Sequence, residues 1–82
     1  MSTVTLGADN FNETITGNDI VFVDFWASWC GPCRMFAPIY EKAAEANSDI
    51  VFGSVNTEEE QELAGAAQVS SIPTLMVFKS GK

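Results

Sequence analysis

Histidine is absent from this chain, which removes the side chain that most often serves as a general base or metal ligand near neutral pH. Positive charge is also scarce, since four lysine and arginine residues face eleven aspartate and glutamate residues. The resulting net charge of −7 repels the phosphates that dominate nucleic-acid affinity. We therefore expect no nucleic-acid partner, and any chemistry has to use thiols and carboxylates.

Long apolar runs are missing as well. No stretch approaches the roughly 18 residues that a membrane-spanning helix needs, and residues 1–9 lack the basic start and apolar middle of a secretory signal. We therefore expect a cytoplasmic protein without a membrane partner. Apolar residues make up 46% of the chain and charged residues 18%, which predicts a folded protein with one domain over residues 1–82.

The two cysteines, Cys30 and Cys33, are separated by only two residues. A bond between them would constrain very little of the unfolded chain, so the pair would contribute little as a structural staple. It could instead be half of a zinc site, but with no further cysteine and no histidine the other ligands would have to come from a second chain. The residues favour a redox pair over both alternatives.

Apolar periodicity and turn residues predict strands alternating with helices. The predicted strands cover 4–6, 20–26, 50–55 and 74–79. One predicted helix begins after residues 8–10, and the other two cover 33–47 and 58 to about 67. The second strand is apolar except at Asp24, which is typical of a central strand covered on both faces. This order predicts an α/β fold with helices on both faces of a mostly parallel sheet.

Cys30 should lie where the buried strand passes into the longest helix, facing backbone N–H groups that have no helical partner. The positive end of the helix dipole stabilises a thiolate there, and Cys33 can assist by donating its S–H. Pro32 is tolerated in the first helical turn and stiffens the loop. Gly31 leaves one sulfur open to approach.

Asp24 is unusual because an unpaired carboxylate within an apolar central strand is costly and rarely kept for packing. We expect it to be at least partly buried, with its pKa raised by desolvation. The alternative is a carboxylate at the strand end that turns to water.

The sequence resembles the thioredoxin family. The resemblance rests on the run 23–27, on Trp29-Cys30-Gly31-Pro32-Cys33, on Pro38 within the long helix, and on Ser71-Ile72-Pro73-Thr74. It implies a thioredoxin fold and a protein-disulfide reductase with a redox-active Cys30–Cys33 disulfide and no bound cofactor. It also implies protein disulfides as substrates and an NADPH-dependent flavoprotein reductase as the electron donor.

The same resemblance implies a role for each residue of the site. Cys30 would attack the substrate disulfide, Cys33 would resolve the mixed disulfide, and Asp24 would exchange a proton with Cys33. The Ile72–Pro73 bond would be cis and face the sulfurs. The substrate groove would be formed by Trp29, Gly31, Pro32, Ile72 and Pro73.

Two departures from the family leave questions open. Ser54 stands where a lysine is common, which puts any charge pairing with Asp24 in doubt. The last strand and helix of the family do not follow Gly81, so we expect an incomplete sheet. Its free edge would pair with another chain, or the chain would be part of a longer protein. A binding or scaffold module with incidental cysteines is the competing functional class.

Overall fold

A computed structural model describes residues 2–82 and contains four strands and three helices within that range. In chain order they are β1 (Val4–Thr5), α1 (Phe11–Thr16), β2 (Ile20–Trp26), α2 (Gly31–Ala46), β3 (Val51–Asn56), α3 (Gln61–Ala66) and β4 (Thr74–Lys79). The alternation of strands and helices is the predicted one. β2 and β4 have the predicted bounds. The observed bounds of the other elements differ from the predicted bounds by at most three residues.

The strands form one sheet in the order β1-β3-β2-β4. β1, β3 and β2 are parallel, whereas β4 runs antiparallel to β2. β2 therefore lies between two strands, as its continuous apolar sequence predicts. The antiparallel strand makes the sheet mixed and mostly parallel.

Helices cover both faces of this sheet. On one face, α1 and α3 pack against an apolar core that includes Val21, Val23 and Phe25 of β2. On the other face, Tyr40 and Ala44 of α2 pack against Phe52 of β3. Successive side chains of a strand point to opposite faces, so Asp24 faces α2 while both of its neighbours face the first core.

The close packing of β1 on β3 depends on a glycine. Leu6 follows β1, is almost fully buried, and donates its N–H to the carbonyl of Ser54 at 2.8 Å. A Cβ atom at Gly53 would lie 2.3 Å from Leu6 Cδ1. Only glycine admits the leucine side chain at this position without displacement.

Two predicted helix starts differ from the structure. α2 begins at Gly31 rather than Cys33, because Gly31 and Pro32 occupy first-turn positions that need no N–H partner. α3 begins at Gln61, so the glutamates at 58–60 form a turn before the helix instead of its first turn. Asn56 Oδ1 accepts the Glu58 N–H at 2.9 Å, which holds this segment in a turn.

β4 is covered on one face only. Met76 and Phe78 pack into the core shared with α1 and α3, whereas Leu75 and Val77 on the α2 side remain 46% and 54% exposed. The turn after β4 contains Ser80 and Gly81, both with positive φ. On the side of the sheet that carries α2, β4 therefore presents apolar side chains to solvent.

Candidate active site

Cys30 and Cys33 form a disulfide at the start of α2, with Cα atoms 5.2 Å apart. Cys30 is the N-cap residue of this 16-residue helix, and its Sγ accepts the backbone N–H of Cys33 at 3.2 Å. Both cysteines are almost fully buried and pack with Ala27 against Trp26 and Ile72. Exposure does not distinguish the two sulfurs. Only Cys30 has its sulfur at the positive end of the helix.

The loop that precedes Cys30 is held from two sides. Glu58 Oε1 accepts the Ser28 N–H at 3.0 Å and the Ser28 hydroxyl at 2.8 Å, and Arg34 Nη1 donates to the Ser28 carbonyl at 3.1 Å. These hydrogen bonds from Ser28 hold the pKa of Glu58 below its usual range. Thr57 also donates its N–H to the Trp26 carbonyl at 2.8 Å. The turn before α3 is therefore fastened to the loop that carries the cysteine.

Sequence reasoning missed this role of Glu58. Its run of glutamates resembles the acidic first turn of a helix, and Glu58 and Ser28 are 30 positions apart. No local pattern links the two residues. The contact exists because parallel β2 and β3 end at the same edge of the sheet.

Asp24 is 4% exposed and lies on the α2 side of β2, opposite Ser54 of β3. Within residues 2–82, no hydrogen-bond donor reaches its Oδ1 atom. Burial raises the pKa of Asp24 from 3.8 to about 6. The predicted burial of Asp24 and the predicted rise of its pKa are thus confirmed. The Ser54 side chain carries no positive charge that would lower the pKa of Asp24 again.

Tyr40 also lies on this face, and sequence reasoning did not single it out. Its hydroxyl donates to the Gly53 carbonyl at 2.7 Å, and burial, followed by the nearby Asp24 charge, raises its pKa well above the usual range. Tyr40 follows Cys33 by seven residues, about two helical turns. That spacing was the available signal that the two share a helix face.

A cavity of about 420 Å³ between α2 and the sheet connects these groups. Asp24, Cys33, Tyr40 and Ser54 are all among its lining residues. The sequence alone predicts Asp24 and Cys33 on separate elements. The fold brings both residues to the lining of one cavity.

A second, shallower depression lies beside the disulfide and has a volume of about 320 Å³. Trp29, which is 68% exposed, and Ile72 both line it. The Ile72–Pro73 peptide bond is cis, and Ile72 packs against the two cysteines. The other predicted groove residues, Gly31, Pro32 and Pro73, are close in sequence to Trp29 or Ile72 but are not among the residues that line this depression.

The described residues show two further negative results. Residues 2–82 contain no group of three or more acidic or cysteine side chains arranged to hold a metal ion. Over the same residues, no helix combines the length and apolar character that crossing a membrane requires.

The mixed sheet with helices on both faces and the disulfide at the N-terminus of its longest helix define a protein of the thioredoxin-fold class. The thioredoxin family model matches residues 2–82. The chain is 60% identical to putative thioredoxin 2 of Streptomyces coelicolor over 78 residues, which cover 95% of this chain and 58% of that protein. It is 43% identical to thioredoxin-2 of Saccharomyces cerevisiae over 83 residues, covering 100% of this chain and 80% of that one.

Solved structures agree with the sequence relatives. Plasmodium falciparum thioredoxin superimposes with a TM-score of 0.94 at 34% identity, covering 98% of this chain and 79% of that one. The chain belongs to the thioredoxin family, and Cys30 and Cys33 are its redox-active pair.

Proposed function

We propose that this chain reduces disulfides of other proteins, with Cys30 as the attacking thiol and Cys33 as the resolving thiol. The observation that carries this proposal is the position of Cys30 as the N-cap of α2, with its sulfur accepting a backbone N–H. Helix N-termini stabilise negative charge, so the thiolate form is favoured at Cys30.

The reaction transfers two electrons in two exchanges. The Cys30 thiolate attacks one sulfur of the substrate disulfide, which forms a mixed disulfide and releases the other substrate sulfur as a thiolate. Cys33 then loses its proton and attacks Cys30 Sγ. This second exchange forms the Cys30–Cys33 disulfide and releases the second substrate thiol.

Asp24 is the proposed acceptor of the Cys33 proton. Both residues line one cavity, and the Asp24 pKa of about 6 suits a group that is ionised near neutral pH yet still basic enough to accept a proton. The depression beside Trp29 and Ile72 is the proposed seat of the substrate segment next to its disulfide. Gly31, Pro32 and Pro73 complete its rim in this proposal.

Catalysis requires the disulfide to be reduced again. We assign this step to an NADPH-dependent flavoprotein reductase and place the protein in the cytoplasm, because a disulfide reductase needs a compartment that keeps thiols reduced. No bound cofactor is needed, since the two sulfurs carry both electrons. Pairing of another chain along the free edge of β4 stays a prediction, supported by the position of β4 at the end of the strand order.

Insulin reduction by the dithiothreitol-reduced chain tests the activity, and alkylation tests the roles. We expect turnover above the dithiothreitol background, and we expect iodoacetamide to label Cys30 before Cys33 in the reduced protein. A chain that binds substrate proteins without accelerating insulin reduction would be a binding module. Faster labelling of Cys33 would reverse the two roles.

A further inference from the structure

Trp29 lies in a tight turn and is mostly exposed. The Cys30 N–H donates to the Ala27 carbonyl at 3.2 Å, which makes Ser28 and Trp29 the two central residues of a four-residue turn. The Trp29 side chain is 68% exposed, so packing against the protein contributes little to holding it. The position of the indole therefore depends on how firmly the backbone of the turn is held.

Each polar group of Ser28 has a partner outside this turn. Glu58 Oε1 accepts the Ser28 N–H at 3.0 Å and the Ser28 hydroxyl at 2.8 Å, while Arg34 donates to the Ser28 carbonyl at 3.1 Å. The Glu58 carboxylate is ionised near neutral pH, because its pKa lies below the usual range. Hydrogen bonds to an ionised acceptor are stronger than those between neutral groups. Glu58 supplies two of the three hydrogen bonds of Ser28, so it is the main anchor of the turn.

The anchor is itself fixed, because Glu58 lies in a turn with hydrogen bonds of its own. Asn56 Oδ1 accepts the Glu58 N–H at 2.9 Å, and the Glu58 carbonyl accepts from Gln61 Nε2 at 3.3 Å. Thr57 donates its N–H and its hydroxyl to the Trp26 carbonyl at 2.8 Å and 3.0 Å. The turn before α3 is therefore tied to the end of β2, and the Glu58 side chain extends this tie to the loop beyond β2.

These two turns supply two walls of the depression that is the proposed substrate seat. Trp29 lines the depression from the turn after β2, Thr57 lines it from the turn before α3, and Ile72 lies beside the disulfide. The hydrogen bonds between Ser28 and Glu58 join these two turns directly. They therefore set how far Trp29 stands from the wall formed by Thr57.

We propose that Glu58 is a positioning residue for substrate binding, because its hydrogen bonds to Ser28 hold Trp29 at the rim of the depression. A contact surface that is held before the substrate arrives loses less conformational entropy on binding. Loss of Glu58 therefore weakens substrate binding and leaves the exchange step at Cys30 unchanged. This inference rests on the proposed function, since it takes the depression as the seat of the substrate.

The first test follows the Trp29 turn in the oxidised protein by ¹⁵N relaxation and needs no turnover. In Glu58→Ala, the order parameter of the Trp29 backbone amide should fall from a rigid value of about 0.85 towards the flexible range below about 0.6. Glu59→Ala is the matched control, since it removes the same charge from the next exposed residue while Ser28 stays bonded to Glu58. An unchanged order parameter in Glu58→Ala, or an equal fall in both variants, would overturn the positioning role.

The second test measures substrate binding apart from the exchange chemistry. The reduced protein is mixed with excess insulin, and formation of the Cys30–Cys33 disulfide is followed by acid quenching and mass spectrometry. In Glu58→Ala, the insulin concentration at half-maximal rate should rise by about 3–10-fold, whereas the limiting rate should stay within about twofold of the parent value. Glu59→Ala should change neither quantity by more than about twofold.

Two further variants separate the hydrogen bonds of Glu58 from its charge. Glu58→Gln keeps a neutral acceptor and should raise the half-saturating insulin concentration by less than about threefold. Ser28→Ala should have no further effect once Glu58→Ala is present, because both substitutions act on one contact. An unchanged half-saturating concentration in Glu58→Ala would refute the proposal, and a limiting rate lowered by more than about tenfold would place Glu58 in the exchange step instead. Failure of the parent protein to reduce insulin would refute the proposed function, and the relaxation result would still decide whether Glu58 holds Trp29.

Discussion

The two faces of the sheet bury different chemistry. Beneath α1 and α3, the core is apolar throughout and includes Val21, Val23 and Phe25, none of which is exposed. Beneath α2, the same strand contributes Asp24 to a cavity that also touches Cys33. Strand alternation produces this contrast from a single run of seven residues.

The contrast separates stability from reactivity. The α1 and α3 face gains free energy by removing apolar surface from water. The α2 face gives up part of that gain, because it buries a carboxylate whose pKa is raised by desolvation. We have proposed that Asp24 serves the reaction, and the following predictions test this division between stability and reactivity.

The largest effect should come from the resolving thiol on the α2 face. Cys33→Ser should lower insulin reduction under multiple turnover by more than about 100-fold, because the mixed disulfide on Cys30 is no longer resolved. Mass spectrometry should find that mixed disulfide with substrate. Cys30→Ser is the matched variant and should trap none. If Cys30→Ser traps the substrate instead, Cys33 is the attacking thiol and Cys30 the resolving thiol.

Asp24→Asn should separate reactivity from stability at one residue. The folded pKa of about 6 lies above the unfolded value of 3.8, so the folded state loses stability as pH rises through this range. The asparagine variant should therefore be more stable by about 2–3 kcal/mol above pH 6, with the gain vanishing below about pH 4. Insulin reduction should slow by a factor of about 10–100.

Urea denaturation at several pH values and initial rates of insulin reduction measure both effects. Asp49→Asn, at an exposed position, is the control and should change neither. Turnover by Asp24→Asn equal to that of the parent protein across the pH range would remove Asp24 from proton transfer.

The apolar face should respond in stability alone. Val21→Ala deletes two methyl-sized groups from a fully buried side chain and should destabilise the protein by about 2 kcal/mol. Val77→Ala makes the same change where the side chain is 54% exposed and should cost less than about 0.5 kcal/mol. Urea midpoints compare the pair, and equal losses would contradict the assigned burial. The rate of insulin reduction per folded molecule should be unchanged in both.

The smallest effect should come from the exposed contact between Glu58, in the turn before α3, and Ser28, in the loop before Cys30. Glu58→Gln replaces a charged acceptor with a neutral one, so exchange of the Ser28 amide hydrogen should accelerate by a factor of about 2–5. Glu59→Gln is the control, since Ser28 is held by Glu58 rather than by its neighbour. Because the pKa of Glu58 is lowered by folding, the contact should weaken in the parent protein as pH falls through that pKa. Protection of the Ser28 amide, taken relative to its intrinsic exchange rate at each pH, that is insensitive to both changes would remove Glu58 as its anchor.

Local pattern in the sequence determined the elements and the reactive pair. Apolar continuity predicted β2 with its bounds, the Cys30 to Cys33 spacing predicted a redox pair at a helix start, and the apolar neighbours of Asp24 predicted its burial. Each of these depends on residues within a few positions of one another. The start of α3 was misplaced because the glutamates at 58–60 satisfy the helix pattern, whereas Glu58 instead contacts Ser28.

Only the tertiary structure decided which distant residues share a site. Parallel pairing of β2 with β3 places Ser54 beside Asp24 and the Glu58 turn beside the Cys30 loop. The packing of α2 on the sheet joins Cys33, Tyr40 and Asp24 around one cavity. These contacts depend on strand order and register, which arise from burying both faces of the whole sheet at once and leave no periodic signal in the chain.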